Sequence, residues 1–177
     1  MRIGKLLPWV FFLLFSTACL AAENDGSPGP REDPPAAAAA ESDPAADLIN
    51  YALNLIGVKY RYGGSSPDAG LDCSGFVGYV FGHAAGLVLP HNAYAISREG
   101  RKILPSQLEP GDLVFFKTLR KAFSHVGIYL GDNKFIHAGS SGEGVEIANM
   151  KDRYWARRFT AARRLELPAV SSAAPSE

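Results

Sequence analysis

Three side chains have the types and spacing for nucleophilic acyl chemistry: Cys73, His125 and His137. A thiol reacts as its thiolate, and a helix N-terminus and a nearby imidazole both favour that form. Cys73 lies in "LDCSGFVGYVF", residues 71–81, directly after Asp72 and at the start of an apolar helical pattern. Asp is a good N-cap, so the spacing predicts a helix that begins at Cys73. His125 and His137 fall in "SHVGIYLGDNKFIHAG". A two-residue turn sends the two imidazoles to opposite faces of the hairpin. A three-residue loop, Gly131-Asp132-Asn133, pairs Leu130 with Lys134 and sets His137 opposite Gly127. Both rings then share a face, about 7 Å apart as diagonal neighbours. Asn133 tolerates the left-handed conformation such a loop needs, which favours the second arrangement.

With Cys73 placed against that face, His125 can take the thiol proton and return it to a leaving amine. His137 can orient His125, the third role of a triad. Backbone N–H groups at Cys73 and Ser74 are candidate oxyanion donors, and Tyr60 can add its phenol. Tyr60, Ser74 and Asp72 complete the candidate oxyanion and substrate-binding set. The plain alternative is a Cys packed as a small hydrophobe. Zinc would need a second-shell carboxylate and ligand spacings that the sequence lacks, so no metal and no cofactor is expected.

The elements that must hold these groups can be read from periodicity. Asp43 caps and Pro44 opens a first helix whose face is Leu48, Tyr51, Ala52, Leu55 and Ile56, ended by Gly57. "VKYRYGG" is extended and turns at Gly63-Gly64, and "SSPDAGL" loops to Asp72. The second helix buries Phe76, Val77, Val80, Phe81 and Ala84, with Gly75, Gly78 and Gly82 expected to pack closely on a sheet. A short helix spans Ala93 to Arg98, and "LEPGD" turns the chain. Strands follow at 113–117, 125–130, 134–138, 145–148 and 160–165. Helices first and closely spaced strands afterwards argue for an α+β domain on an antiparallel sheet.

Outside that domain, Arg2 and Lys5 precede an apolar run from Leu6 to Phe15, then Ser16, Thr17, Ala18 and Cys19. Residues 1–22 read as an export signal, with Cys19 a candidate for lipidation behind Ala18. Residues 23–46 hold five prolines and no aromatic residue. They form an expected disordered tether with a reach of roughly 70 Å if fully extended. The domain is placed at 47–167 and a loose tail at 168–177. Formal net charge is zero and no basic tract occurs, which argues against a nucleic-acid partner. Besides Cys19, Cys73 is the only thiol. An unpaired thiol in an exported protein has a use or is buried.

"LIGVKYRYGG", "LDCSGFVGYVF", "LEPGDLVFF", "SHVGIYLGDNKFIHAG" and "YWARRFTAARRL" together resemble the NlpC-type cysteine peptidases, a papain-like family of bacterial cell-wall hydrolases. The resemblance implies Cys73 as nucleophile, His125 as base, His137 as third residue and Tyr60 as site tyrosine. It also implies a substrate, the stem or cross-link peptides of peptidoglycan, cut beside diaminopimelate, as by lipid-anchored murein endopeptidases of the periplasm and outer membrane. A monomer is expected. Members often carry Arg after the Leu-Pro that follows the catalytic helix. This chain has His91, a difference at a substrate contact. Rival readings are a wall-binding scaffold without turnover and a thiol acyltransferase. His83 is read as a helix-end residue. Arg153, Arg157, Arg158, Arg163 and Arg164 are read as a solvated basic face with ion-pair partners, and Tyr154 and Trp155 as packing anchors.

Overall fold

The computed structural model of this chain describes residues 43–141 and 144–168. The expected export signal, Cys19, nearly all of the tether and nearly all of the tail lie outside them. Helix α1, Pro44–Leu53, starts as the sequence implies: Pro44 takes the first position and the Asp43 carboxylate accepts from Ala45 N–H at 3.0 Å. Residues 44–46, assigned to the tether, are thus its first turn. The helix stops before Gly57. Residues 55, 56 and 58 donate three residues back, and Gly57 N–H turns away to the Val145 carbonyl at 2.9 Å. Leu48, Ala52 and Leu55 are buried, whereas Ile56 is 51% exposed and drops out of the expected face.

The loop into Asp72 is itself a small hairpin, β1 (Ser65–Ser66) against β2 (Gly70–Leu71), and Tyr60 bridges to Leu71 beside it. Helix α2, Cys73–Ala85, buries Phe76, Val77, Val80 and Phe81. Of its three glycines only Gly75 is closely packed, and on a turn, not a sheet: a Cβ there would lie 2.0 Å from the Gly64 carbonyl oxygen. Gly78 meets nothing within 4 Å, and Gly82 only the Leu87 carbonyl at 3.9 Å. The short α3, Ala93–Ile96, is capped by Asn92.

Six antiparallel strands follow: β3 (Arg101–Ile103), β4 (Leu113–Phe116), β5 (His125–Gly131), β6 (Lys134–Ala138), β7 (Val145–Asn149) and β8 (Phe159–Arg164). Their order is β3-β8-β4-β5-β6-β7, an α+β arrangement. Strand β3 and helix α4 (Arg153–Ala156) are additions to the sequence-based expectation. Strand β3 is too short, and too charged at Arg101 and Lys102, to show an alternating pattern. The pleat divides the core in two. Leu113, Phe115, Val126, Ile128, Ile136 and Ala138 face α1 and α2. Val114, Phe116, Tyr129, Phe135 and Ala162 face away from them, where Trp155 and Phe159 cover them. Of the basic face, Arg164 is anchored by Asp112 at 2.6 Å and by Glu109.

The β5–β6 connection differs from the three-residue loop. Gly131 pairs with Lys134 across a two-residue turn, Asp132-Asn133, both at positive φ (50° and 60°). That is the turn that matches strand twist. A bulge at Leu130 then inserts one residue, so Tyr129 pairs with Phe135 and Ile128 with Ile136. The extra residue restores the register in which both histidines share a face.

Candidate active site

The start of α2 is organised by Asp72. Its Oδ1 accepts from Gly75 N–H (2.7 Å), Ser74 Oγ–H (2.9 Å) and His91 Nε2 (3.0 Å), and Oδ2 from Gly63 N–H (2.9 Å). Burial pushes this carboxyl up, but the donors together hold it below the usual range, so it stays ionised. Three donors converge on Oδ1 and one on Oδ2. Asp72 is therefore a cap and a brace, and its oxygens are taken up within the protein. The Ser74 hydroxyl, buried against Asp72, is turned inward too, which leaves its backbone N–H as its contribution to the site.

Cys73 is half-buried at the first position of the helix. Burial pushes its thiol up to about 11; the N–H groups of Val126, Ser74 and Cys73 itself pull it down, and the Asp72 charge adds to the rise. The Val126 amide is the contact that matters for placement, because it sets the sulfur beside the residue next to His125. Tyr60, raised by burial and then by the charges of Cys73 and Asp72, stays a protonated donor near the sulfur.

His125 Nε2 and His137 Nδ1 share a hydrogen bond of 3.0 Å, with the rings near perpendicular at 81°. Gly127 makes room for this, since a Cβ there would lie 2.7 Å from the Phe135 ring and 3.2 Å from His137 Cβ. Trp155 lies against both imidazoles, at 5.5 Å and 4.9 Å between ring centroids. Burial, then the neighbouring His137, pushes His125 down to about 3 despite the Asp72 charge. Burial pushes His137 down to about 4, partly offset by the Ala138 backbone. At neutral pH the resting site therefore holds a neutral thiol and two neutral imidazoles. Each charge is disfavoured alone, so transfer of the thiol proton to an imidazole would have to form both charges together.

The pair stands on the face of the sheet that carries Phe116, Phe135 and Trp155, whereas α2 packs on the other. The sulfur thus approaches from beside the first residues of β5, at Val126 N–H, and not across the sheet face as the periodicity suggested. With His125 Nε2 engaged by His137, Nδ1 is the nitrogen left to take the thiol proton.

Two contributors were not foreseen. His91, read as a loop residue or substrate contact, bonds to the Asp72 carboxylate; no spacing signal links positions nineteen residues apart through a loop. Trp155 was foreseen as packing, but not as the roof over the histidines. His83 is a helix-end residue, with Nδ1 2.8 Å from the Tyr79 carbonyl.

The NlpC/P60 family profile matches residues 57–164. The chain is similar to murein DD-endopeptidase MepS/murein LD-carboxypeptidase of Escherichia coli K12: 45% identical over 109 residues, 62% of this chain and 56% of that protein. It is also similar to the gamma-DL-glutamyl hydrolase of Bacillus subtilis, 43% identical over 129 residues, 71% of this chain and 31% of that protein. This chain therefore spans little more than half, or less, of the curated relatives' length. Among solved structures it is similar to the NlpC/p60 domain of the peptidoglycan hydrolase SagA (TM-score 0.60, 31% identical, 68% of this chain and 98% of that one). It is also similar to an NlpC/P60 family protein from Bacillus cereus (TM-score 0.64, 32% identical, 70% and 40%).

Proposed function

Since this chain belongs to the NlpC/P60 family, we propose that it is a cysteine peptidase that hydrolyses peptide bonds of peptidoglycan. The observation that carries this is the hydrogen-bonded imidazole pair of His125 and His137 at 3.0 Å, beside a thiol at a capped helix start. The names of its relatives, a murein endopeptidase and a peptidoglycan hydrolase, support the substrate class. The bonds proposed are those of stem or cross-link peptides beside diaminopimelate.

In this mechanism His125 Nδ1 takes the Cys73 proton as the sulfur attacks the amide carbonyl carbon. The oxyanion forms against the N–H groups at the start of α2 and the Tyr60 phenol. Collapse breaks the C–N bond, and the proton on His125 passes to the departing amine. The thioester is then attacked by water, with His125 again as base, giving the carboxylate product and the free thiol. His137 accepts from His125 Nε2–H throughout and fixes the ring orientation.

Purified protein is expected to release stem peptides from sacculi, and the Cys73→Ala variant to release none. Equal release by both ends the proposal, and a new amide or ester in the products points to acyl transfer. We also propose export, supported by residues 1–22, and a lipid anchor at Cys19. A diacylglycerol mass on a mature chain starting at Cys19 tests the anchor; a mature chain starting beyond Cys19 overturns it.

A further inference from the structure

With His125 acting as base at Nδ1, the shared bond between the imidazoles sets where their hydrogens sit. To take a proton at Nδ1, neutral His125 carries its hydrogen on Nε2, which then donates to His137 Nδ1. Once His125 is protonated, Nε2 still carries a hydrogen and still donates. In both states His137 accepts at Nδ1 and bears its own hydrogen at Nε2. His137 is 1% exposed, and its Nε2 has no hydrogen-bond partner among the described residues. A buried N–H without an acceptor is costly, more so when its ring shares a positive charge.

One carboxylate is placed to meet it. Glu146 stands directly across from His137 in the β6–β7 register, with Oε1 4.0 Å from Nε2. Gly139 leaves the space it occupies: a Cβ there would lie 2.6 Å from Oε1 and 3.0 Å from His137 Cε1. The Glu146 side chain is 43% exposed, so it can advance by about an ångström and keep one side in water.

We propose that Glu146 is a positioning residue of this site, whose carboxylate closes on His137 Nε2–H, fixes its tautomer and stabilises the cation formed when the thiol proton reaches His125. The proposal rests on the peptidase function above. It extends the chain Cys73–His125–His137 by a fourth group on a different strand. Of the groups around the start of α2, Asp72 also favours the His125 cation, and Tyr60 stands beside Cys73 and Asp72. Strands β4 and β6 and helix α4 face the imidazole pair with the rings of Phe116, Phe135 and Trp155.

The test compares the whole protein with Glu146→Gln and Glu146→Ala, using exposed Glu166→Gln as a charge control. Imidazole nitrogen NMR reads tautomer and titration; kcat and KM on purified muropeptides against pH read turnover. In the unsubstituted protein His137 should carry its hydrogen on Nε2. Removing the carboxylate should lower the pH at which the pair takes up a proton by about half a pH unit. The acid limb of kcat/KM should move to lower pH, and kcat should fall about two- to fivefold with KM little changed. Alanine should cost more than glutamine, which keeps an acceptor oxygen, and Glu166→Gln should change neither readout. A His137 hydrogen on Nδ1, or a titration unchanged in both Glu146 variants, overturns the proposal. A protein no more active than Cys73→Ala ends the peptidase function, whereas the NMR measurement still decides Glu146.

Discussion

In the proposed mechanism His125 shares the sulfur's proton, so replacing it with alanine should lower kcat/KM about 10²–10⁴-fold. His137→Ala should cost less, because the base remains and only its orientation is lost. His137→Gln should recover part of that loss, since an amide oxygen can accept from His125 Nε2–H. Steady-state rates on a purified muropeptide give this order, and an equal loss in all three variants would contradict it. Cys73, Asp72 and the two histidines were legible in the sequence because each sits at a position where residue type and local geometry agree: a cap, a first helical residue, one face of a hairpin. His91 and Glu146 were not legible. Their contacts depend on where a loop returns and on how β7 aligns with β6, and neither follows from local spacing.

The hairpin shows how an element can reach the right register by another route. A three-residue loop needs one left-handed residue, at Asn133. Asp132 shares that conformation, and the Leu130 bulge supplies the missing residue. Periodicity counts residues and cannot say on which side of a turn the extra one lies. The glycines of α2 and β5 divide in the same way. Gly127→Ala drives a methyl into Phe135 and the Ile136 carbonyl, and should destabilise the domain by about 1–3 kcal/mol while prising His137 from His125. Gly82→Ala makes only an ordinary contact with the Leu87 carbonyl, at 3.9 Å, and should stabilise the helix by about 0.5–1 kcal/mol. Denaturant titration of both variants should give opposite signs. In sequence the two glycines look alike, because close approach is a property of what lies opposite.

The fold class follows from helices preceding closely spaced strands, whereas the place of β8 between β3 and β4 and the burial of the histidine pair beneath Trp155 are properties of the assembled domain. That burial ties global stability to acidity. The folded protein holds His125 and His137 to about 3 and about 4, against an ordinary value of 6.5. Both are depressed, so their contribution is present above about pH 6.5 and is lost as pH falls toward the folded values. Melting temperature should drop between about pH 7 and pH 4, and less steeply in a His125→Gln/His137→Gln variant. An identical slope in the two proteins would assign acid sensitivity to other groups.

The thiol carries the opposite sign. With Cys73 pushed up to about 11, alkylation by iodoacetamide should be slow at neutral pH and quicken as alkalinity rises. A rate already flat from acid pH would mean a standing ion pair instead. Peroxide, like iodoacetamide, attacks the thiolate. A sulfur that stays protonated in the resting site offers such oxidants little to attack. On the peptidase proposal, idle protein should therefore age slowly under oxidising conditions and be most open to damage during turnover.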